Sequence, residues 1–345
     1  MQVRLTQFSH GGGCGCKIAP GVLEKILAKT APGLVPKELL VGIETSDDAA
    51  VYRINDRQAI VATTDFFMPI VDDPFDFGAI AATNAISDVY AMGGQPLFAL
   101  ALVGMPVNQI PLEVIRKILE GGESVCARAG IPIAGGHTID SVEPIYGLVA
   151  IGLVDPRNLK RNAGAKPGDK LVLGKPLGVG IFSAALKKGK LDDAGYKAMI
   201  AATTKLNTPG TRLGELEGVH ALTDVTGFGL LGHLLEIAKG SGVDARLRWD
   251  TIPLLPGALD FARQGIVTGA SARNWTGYGS RVKVGAALGE AETAVLTDPQ
   301  TSGGLLVACD PASCDEVLRI FRDDGFAQAA IVGEVVPGRG EVAVD

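Results

Sequence analysis

The feature that most constrains this chain is the alternation of short apolar segments with helical patterns, found in two halves on either side of a polar stretch at residues 155–170. Alternating strands and helices are typical of α/β or α+β proteins. A chain of 345 residues also exceeds what a single core commonly holds. We therefore predict a two-domain α/β (α+β) protein, with domains at residues 18–158 and 165–345 and a flexible, glycine-rich loop at residues 1–17 before them.

The individual elements are predicted from apolar spacing and from the positions of glycine and proline. Strands are predicted at residues 60–64, 97–103, 145–154, 170–173, 245–249 and 305–308. Helices are predicted at about residues 20–28, 77–92, 112–129, 179–187, 192–205, 233–239, 257–264 and 311–324. Asp76 is the predicted N-cap of the second helix. Asp65 directly follows the first strand, and polar residues at strand ends are where α/β folds bind ligands.

Composition and charge argue against several classes of protein. Hydrophobic residues make up 47% of the chain and charged residues 20%, which argues against disorder. The net charge of −6 argues against a nucleic-acid partner. Residues 89–112 carry no charge, but glycines and prolines interrupt them, so we expect no membrane span. Residues 1–8 lack the apolar core of a signal peptide and the five cysteines suggest no disulfide framework, so we expect a cytoplasmic protein.

The segment at residues 8–17 holds four glycines together with Cys14, Cys16 and Lys17. Glycine allows backbone amides to approach an anion closely. The segment is not a Walker P-loop, because Cys16 and Ile18 stand where that motif has glycine and serine or threonine. Lys17 and the amides predict a lowered pKa for one thiol, which would then be a thiolate, a soft ligand and nucleophile. The same composition also suits a poorly ordered N-terminal arm.

Aspartates stand in short polar islands between apolar segments, at Asp47-Asp48, Asp65, Asp88 and Asp224. Asp88 lies four residues after Asn84, so both occupy one face of an otherwise apolar predicted helix, where a buried, unpaired carboxylate is unfavourable. Mg²⁺ prefers oxygen ligands and bridges carboxylates to phosphates. The residues alone leave two interpretations open: a polyphosphate site with several metal ions, or separate helix and turn caps.

Other motifs give weaker signals. Gly227, Gly229 and Gly232 match the G-x-G-x-x-G pattern of dinucleotide-binding proteins. A tight turn into a helix explains these glycines without a cofactor. His10 and His137 each lie in a glycine-rich stretch, which suits a place near phosphate, but the four histidines do not form a metal set. The sequence lacks the G-x-S-x-G motif that would indicate a serine nucleophile.

Longer motifs resemble the selenophosphate synthetase (selenide, water dikinase) family over nearly the whole chain. They comprise Leu5–Lys17, Glu44–Val51, Thr63–Val71, Ala82–Asp88, Ala91–Gly94, Ala134–Asp140, Leu222–His233 and Asp298–Gly304. The Cys-Gly-Cys-Lys end of the first motif is specific to that family within the wider PurM-like superfamily. The resemblance implies a two-domain PurM-like architecture of mixed sheets flanked by helices.

The resemblance implies conversion of ATP, selenide and water to selenophosphate, AMP and orthophosphate, with selenophosphate as the selenium donor for selenocysteine and selenouridine. Cys14 would take the catalytic thiol position and Lys17 would contact phosphate. Several Mg²⁺ ions would bind to Asp48, Asp88 and Asp224. The implied nucleotide site consists of Lys17, Thr45, Ser46, Asp47, Asp65, Asp88, Gly136, His137 and Thr138.

The same resemblance implies a homodimer in which Gly136, His137 and Thr138 reach the nucleotide from the other subunit. It is also compatible with a monovalent cation as a cofactor and with a selenium-delivery protein as a partner. Two alternatives stay open. One is another PurM-like ATP-dependent enzyme, which the Cys-Gly-Cys-Lys end argues against. The other is a non-enzymatic carrier of selenium or a soft metal, which would leave the aspartate islands unexplained.

Overall fold

The computed structural model describes residues 3–17, 26, 35–42 and 47–345. Apart from Ile26, the helix predicted at residues 20–28 lies outside the described residues, as do Thr45 and Ser46. Two sheets, one in each half of the chain, form the framework. In the described part of the chain, no helix combines the length and apolar character needed to cross a membrane.

The first sheet contains six strands, which are β1 (Leu39–Val41), β2 (Ala50–Asn55), β3 (Gln58–Phe67), β4 (Gln95–Met105), β5 (Ile133–Asp140) and β6 (Ile145–Val154). Their order across the sheet is β1-β2-β3-β6-β4-β5, so β5 lies at an edge. Only β4 and β5 are parallel among these neighbours. Helix α1 (Pro74–Ala91) packs on β3 and β6, and helix α2 (Leu112–Arg128) packs along α1.

Two glycines set the close approach of α1 and α2. A Cβ atom at Gly78 would lie 1.8 Å from the carbonyl oxygen of Ile118, and one at Gly121 would lie 2.0 Å from that of Phe75. Any side chain at either position would force the helices apart. The close contact leaves most of α1 buried, so its polar residues must find partners within the protein.

Helix α1 begins three residues before its predicted start, and its N-cap is Asp73, so the prediction of Asp76 is wrong. The Asp73 side chain accepts a hydrogen bond from the Asp76 amide at 2.9 Å. Pro74 fits the first helical position because no amide donor is needed there. Asp76 instead accepts a hydrogen bond from the Tyr196 hydroxyl at 2.7 Å.

The second sheet contains seven strands, which are β7 (Lys170–Leu173), β8 (Val219–Asp224), β9 (Val243–Leu247), β10 (Val282–Val284), β11 (Leu305–Cys309), β12 (Ala330–Pro337) and β13 (Val342–Val344). Their order is β10-β13-β9-β12-β7-β11-β8. The helices of this half are α3 (Val179–Lys187), α4 (Asp193–Thr203), α5 (Pro209–Gly214), α6 (Gly229–Ser241), α7 (Ala258–Arg263), α8 (Gly269–Tyr278), α9 (Glu290–Leu296) and α10 (Cys314–Asp323).

The limits of β6, β7 and α3 agree with those predicted. Helix α6 begins at Gly229, four residues before its predicted start, because the φ of +70° at this glycine turns the chain directly into the helix. Strand β3 continues through Asp65 to Phe67, since both residues pair with β6. Asp65 therefore lies within the strand rather than directly after it.

Helix α1 joins the two halves of the molecule. It contacts β8, α4 and α5 of the second half as well as its own sheet. The Ser87 hydroxyl on α1 donates a hydrogen bond to Asp224 Oδ2 at the end of β8, at 2.5 Å. This junction places the candidate site. The residue limits of the two domains stay a prediction.

Candidate active site at the junction of the two halves

Three carboxylates meet at the junction. Asp48 precedes β2, Asp88 lies in the last turn of α1, and Asp224 ends β8. One oxygen atom of each lies within 4.8 Å of one oxygen atom of each of the others. Chain segments that are 40 to 176 residues apart in sequence thus supply one compact acidic cluster.

Neighbouring hydroxyl groups orient the three carboxylates. Thr223 donates to Asp48 at 2.9 Å and Thr63 donates to Asp88 at 2.5 Å, while Ser87 donates to Asp224 as described above. The second oxygen of Asp48 is buried and has no hydrogen-bond partner. The cluster therefore contains an acceptor that only a cation, water or another ligand can satisfy.

Burial and mutual repulsion both act against the charged forms of this cluster. Burial first, and then the charges of Asp224 and Asp88, raise the pKa of Asp48 well above its usual range. Burial, and then the charges of Asp224 and Asp65, also raise the pKa of Asp88 well above its usual range. The pKa of Asp224 is also raised, chiefly by burial. A divalent cation among the three would remove the repulsion, so these donors fit Mg²⁺.

Asp65 lies beside this cluster and connects it to the N-terminal segment. Its side chain is buried, accepts a hydrogen bond from Asn84 Nδ2 at 2.5 Å, and lies 3.5 Å from Lys17 Nζ. Partial burial acts against the Lys17 ammonium, but the charges of Asp65, Asp88 and Asp224 together raise its pKa. Lys17 therefore carries a positive charge next to the cluster, on a side chain that is 41% exposed.

The N-terminal segment is packed into the junction. Leu5 and Thr6 are buried, and Asp72 accepts hydrogen bonds from the amide and hydroxyl of Thr6. The Gly13 amide donates to the carbonyl of Met68 at 2.8 Å. The Cys14 amide donates to the Thr301 hydroxyl at 3.0 Å. Residues 3–17 therefore contact both halves of the molecule, and the mobility of this segment stays a prediction.

The expected thiolate is not found in this arrangement. Burial, followed by the charges of Asp65 and Asp224, raises the pKa of Cys14 far above its usual value, although Lys17 lowers it. Burial also raises the pKa of Cys16. The prediction of a lowered pKa is wrong because it considered the lysine and omitted the burial of the thiol and the nearby carboxylates Asp65 and Asp224. The Cys14 thiol is neutral and donates to Asn84 Oδ1 at 3.2 Å.

Asn84 links the parts of the site, although the sequence pattern assigned it no function. Its oxygen also accepts the Ser302 amide at 2.7 Å, so one side chain contacts Cys14, Asp65 and the loop at residues 298–304. Ser302 has a φ of +54°, which is unusual for a residue with a side chain. The position of Asn84 one helical turn before Asp88 was the signal for this function.

Other predicted site residues lie outside this group. The Asp47 side chain accepts the Asn162 amide at 2.7 Å. Gly136, His137 and Thr138 are exposed on the edge strand β5. Register places Gly136 level with Asp65 but three strands away, which is about 14 Å. Within the described residues, the fold of one chain thus does not bring these three residues to the carboxylates. His10 is paired with Glu143 at 2.8 Å.

Comparisons with known proteins identify the class of this protein. Residues 46–154 match the N-terminal domain model of AIR synthase related proteins, and residues 166–345 match the C-terminal domain model. The thiamine-monophosphate kinase of Stenotrophomonas maltophilia K279a has the same fold, with a TM-score of 0.64 at 22% identity over 96% of each chain. The structure of AaThiL complexed with AMPPCP and TMP gives a TM-score of 0.63 at 18% identity, over 94% of this chain and 91% of that one. The fold and the matched models define a PurM-like protein.

Sequence identity then narrows the class. The selenide, water dikinase of Paraburkholderia xenovorans (strain LB400) is 67% identical over 341 residues, which cover 99% of this chain and 96% of that protein. The chain belongs to the selenide, water dikinase family and is therefore an enzyme. This confirms the resemblance and the two-domain fold inferred from the motifs.

Proposed function

We propose that this chain transfers the γ-phosphoryl group of ATP to selenide, forming selenophosphate, and then hydrolyses the remaining ADP to AMP and orthophosphate. The observation that carries the proposal is the meeting of the carboxylate cluster with Lys17 and Cys14 at one junction. Phosphoryl transfer depends mainly on positioning and on neutralising charge, and this junction contains groups for both. The ATP-analogue complex of the structural relative AaThiL supports nucleotide binding by this fold.

Asp48, Asp88 and Asp224 are the proposed ligands of Mg²⁺. The raised pKa values of these carboxyl groups and the unpaired oxygen of Asp48 indicate that a bound cation would stabilise the cluster. When bound, Mg²⁺ supplies charge neutralisation for the phosphates. The chain itself contributes orientation, because each carboxylate already accepts a hydrogen bond from a hydroxyl group on a strand or helix.

Lys17 is the proposed phosphate contact, and Cys14 is the proposed catalytic thiol. Lys17 is charged and partly exposed, so its ammonium group can pair with an anion that enters the junction. Asp65 and Asp47, with Thr45 and Ser46, are proposed to bind the nucleotide. Because Asp65 already holds Lys17 and Asn84, we propose that it acts mainly by positioning them.

A second copy of the chain is proposed to complete the nucleotide site. Tyr52, Phe66 and Ile139 are 44%, 51% and 54% exposed. Side chains alternate between the faces of a sheet, and the register places these three on the face opposite α1. An exposed apolar face beside a free edge strand favours association. Pairing through this face would let Gly136, His137 and Thr138 of each subunit approach the site of the other.

We also propose that the reaction takes place in the cytoplasm. All five cysteines are free thiols, which fits a reducing cytoplasm. A monovalent cation and a selenium-delivery protein stay proposals that follow from the family resemblance. No described residue is assigned to either.

Product analysis tests the proposed reaction. The protein is incubated anaerobically with ATP, Mg²⁺ and selenide, and the nucleotides and phosphorus species are quantified by chromatography and ³¹P NMR. We expect selenophosphate, AMP and orthophosphate in equal amounts. Accumulation of ADP without AMP would instead indicate a PurM-like kinase acting on another substrate. Selenium binding without ATP turnover would indicate a carrier.

A further inference from the structure

A cavity in the second half of the chain lies among the residues that follow β7, helix α4 and the loop between α10 and β12. Its volume is about 410 Å³, which is within the range of small-molecule binding sites. Its lining includes Lys175, Lys205, Leu255, Pro256, Phe326 and Gln328. Among the described residues, neither the carboxylate cluster nor the N-terminal segment contributes to this lining. The cavity is therefore separate from the candidate active site.

Helix α4 makes room for this cavity. Ala198, Ala201 and Ala202 line it, and residues three and four apart occupy one face of a helix. Their methyl groups leave open the space that larger side chains would fill. Beyond this helix, Leu255 and Phe326 supply apolar walls. The cavity is thus shaped for a ligand with an apolar body, as most small-molecule sites are.

Two lysines supply the charged groups of the cavity. Lys175 is buried, and its Nζ donates hydrogen bonds to the carbonyls of Lys205 at 2.7 Å and Ser302 at 2.8 Å. Lys205 Nζ donates to the Gly325 carbonyl at 2.8 Å and lies 4.4 Å from the centre of the Phe326 ring. An ammonium group has three N–H donors, so each lysine keeps a donor for a ligand.

The two lysines lie close enough for the charge of one to act on the other. Burial lowers the pKa of Lys175 to about 7; the charge of Asp224 opposes this shift and the charge of Lys205 adds to it. Burial also lowers the pKa of Lys205, which the charge of Asp324 partly offsets. An anion near both lysines would favour their charged forms.

The two carboxylates that act on these lysines are engaged elsewhere. Asp324 accepts a hydrogen bond from the Thr208 hydroxyl at 2.6 Å and pairs with Arg212 at 3.4 Å. Asp224 accepts the Ser87 hydroxyl and belongs to the proposed Mg²⁺ site. None of the described residues that line the cavity carries a carboxylate. The charge that a ligand meets inside the cavity is therefore positive.

We propose that this cavity binds a small organic phosphate, with Lys175 and Lys205 contacting the phosphate group and the apolar walls contacting the organic part. Lysine binds phosphate as a point charge, and two lysines match the roughly two negative charges of a phosphate monoester. Inorganic phosphate would use the lysines but would leave the apolar walls without a partner. The site lies outside the groups assigned to the proposed reaction.

Pyridoxal phosphate tests this assignment, because it combines a phosphate monoester with an aromatic ring and an aldehyde. An unprotonated lysine adds to the aldehyde with loss of water, and borohydride reduces the resulting imine to a stable secondary amine. In EDTA, we expect saturable labelling of Lys175 or Lys205, located by peptide mass spectrometry. Lys17 should stay unlabelled, because its raised pKa keeps it protonated. Pyridoxal, which lacks the phosphate, should label about tenfold less.

Two variants separate the charge of the site from its shape. Lys205→Gln removes one ammonium group, so we expect phenyl phosphate to bind about tenfold more weakly by calorimetry in EDTA. Lys197→Gln, at an exposed lysine of α4 outside the lining, is the matched control. Ala201→Leu fills part of the cavity from an exposed position and should largely prevent the labelling. Ala194→Leu, at another exposed alanine of α4, is its control.

Several results would each overturn the proposal. These are labelling of Lys17 in place of the two cavity lysines, equal labelling by pyridoxal and its phosphate, or equal binding of phenyl phosphate by wild type and Lys205→Gln. Equal affinity for inorganic phosphate and phenyl phosphate would also overturn it, because the apolar walls would then contribute nothing. None of these measurements requires selenophosphate formation, so a failure of the proposed function would leave the test of this cavity unaffected.

Discussion

The carboxylate cluster and the segment with Cys14 and Lys17 contribute to one site, but the protein holds them in different ways. The carboxylates lie on or beside α1, β2 and β8, and each accepts a hydrogen bond from a neighbouring hydroxyl. The segment has only short 3₁₀ turns, and Cys14 is held by contacts to Thr301 and Asn84 from the two halves of the chain. The cluster is therefore built into the fold, whereas the thiol is placed by a few contacts.

The two regions also differ in their electrostatic balance. The cluster has an excess of negative charge, which raises the pKa values of its members. The same negative charges stabilise the charged form of Lys17 and raise its pKa. Because of this difference, we expect changes in the cluster to abolish nucleotide binding. Changes in the segment should reduce the chemistry and leave nucleotide binding intact.

Replacing Asp88 by asparagine should give the largest effect. The substitution removes one proposed Mg²⁺ ligand while its size is kept, so we expect AMP formation to fall about 10³-fold. Isothermal titration should show that Mg²⁺-dependent ATP binding is lost. Asp56→Asn, in the exposed turn between β2 and β3, is the control. Unchanged ATP binding in Asp88→Asn would remove Asp88 from the set of metal ligands.

Replacing Cys14 by serine should separate chemistry from binding. We expect selenide-dependent AMP formation to fall about 10²-fold, with the affinity for ATP and Mg²⁺ unchanged in the same titration. Cys16→Ser is the matched control. Its hydroxyl can replace the hydrogen bond that the Cys16 thiol donates to the Gly13 carbonyl, so the rate should change less than about threefold. Loss of ATP binding in Cys14→Ser would contradict the proposed division between the two regions.

A smaller effect is expected at Thr301, which accepts the buried Cys14 amide. Valine has a similar shape but no acceptor, and an unpaired buried donor costs about 1–3 kcal/mol. We expect kcat to fall about tenfold in Thr301→Val, with an unchanged KM for ATP. Thr301→Ser keeps the hydroxyl and should stay near the wild-type rate. Equal losses in both variants would show that packing, rather than the hydrogen bond, matters at this position.

The smallest predicted effect is on stability in the presence of EDTA. The folded-state pKa of Asp88 is raised above its unfolded value, so its contribution to stability is present at low pH and is lost as the pH rises through the folded-state pKa. Without metal, Asp88→Asn should therefore melt a few degrees above wild type at neutral pH. This difference should shrink as the pH falls. Melting curves at several pH values test this, and a gap independent of pH would contradict it.

Several elements could be predicted because their signals are local. The apolar strand at residues 145–154 and the helix at residues 179–187 have the predicted limits, since glycine, proline and polar residues bound them. Helices α8 and α9 were not predicted, because few of their residues are buried and their apolar spacing is weak. Strands β12 and β13 were also missed. These elements form through contacts with distant parts of the chain.

The sequence by itself determined the chemistry available to this protein: its acidic islands, its thiol and lysine, and the motifs of the selenide, water dikinase family. Tertiary structure alone decided how these groups act on one another. It brought together Asp48, Asp88 and Asp224, placed Asn84 against Cys14, and left that thiol protonated. The physical reason is that pKa values and metal affinity depend on burial and on distances between charges. Those distances are fixed only when both halves of the chain pack on α1.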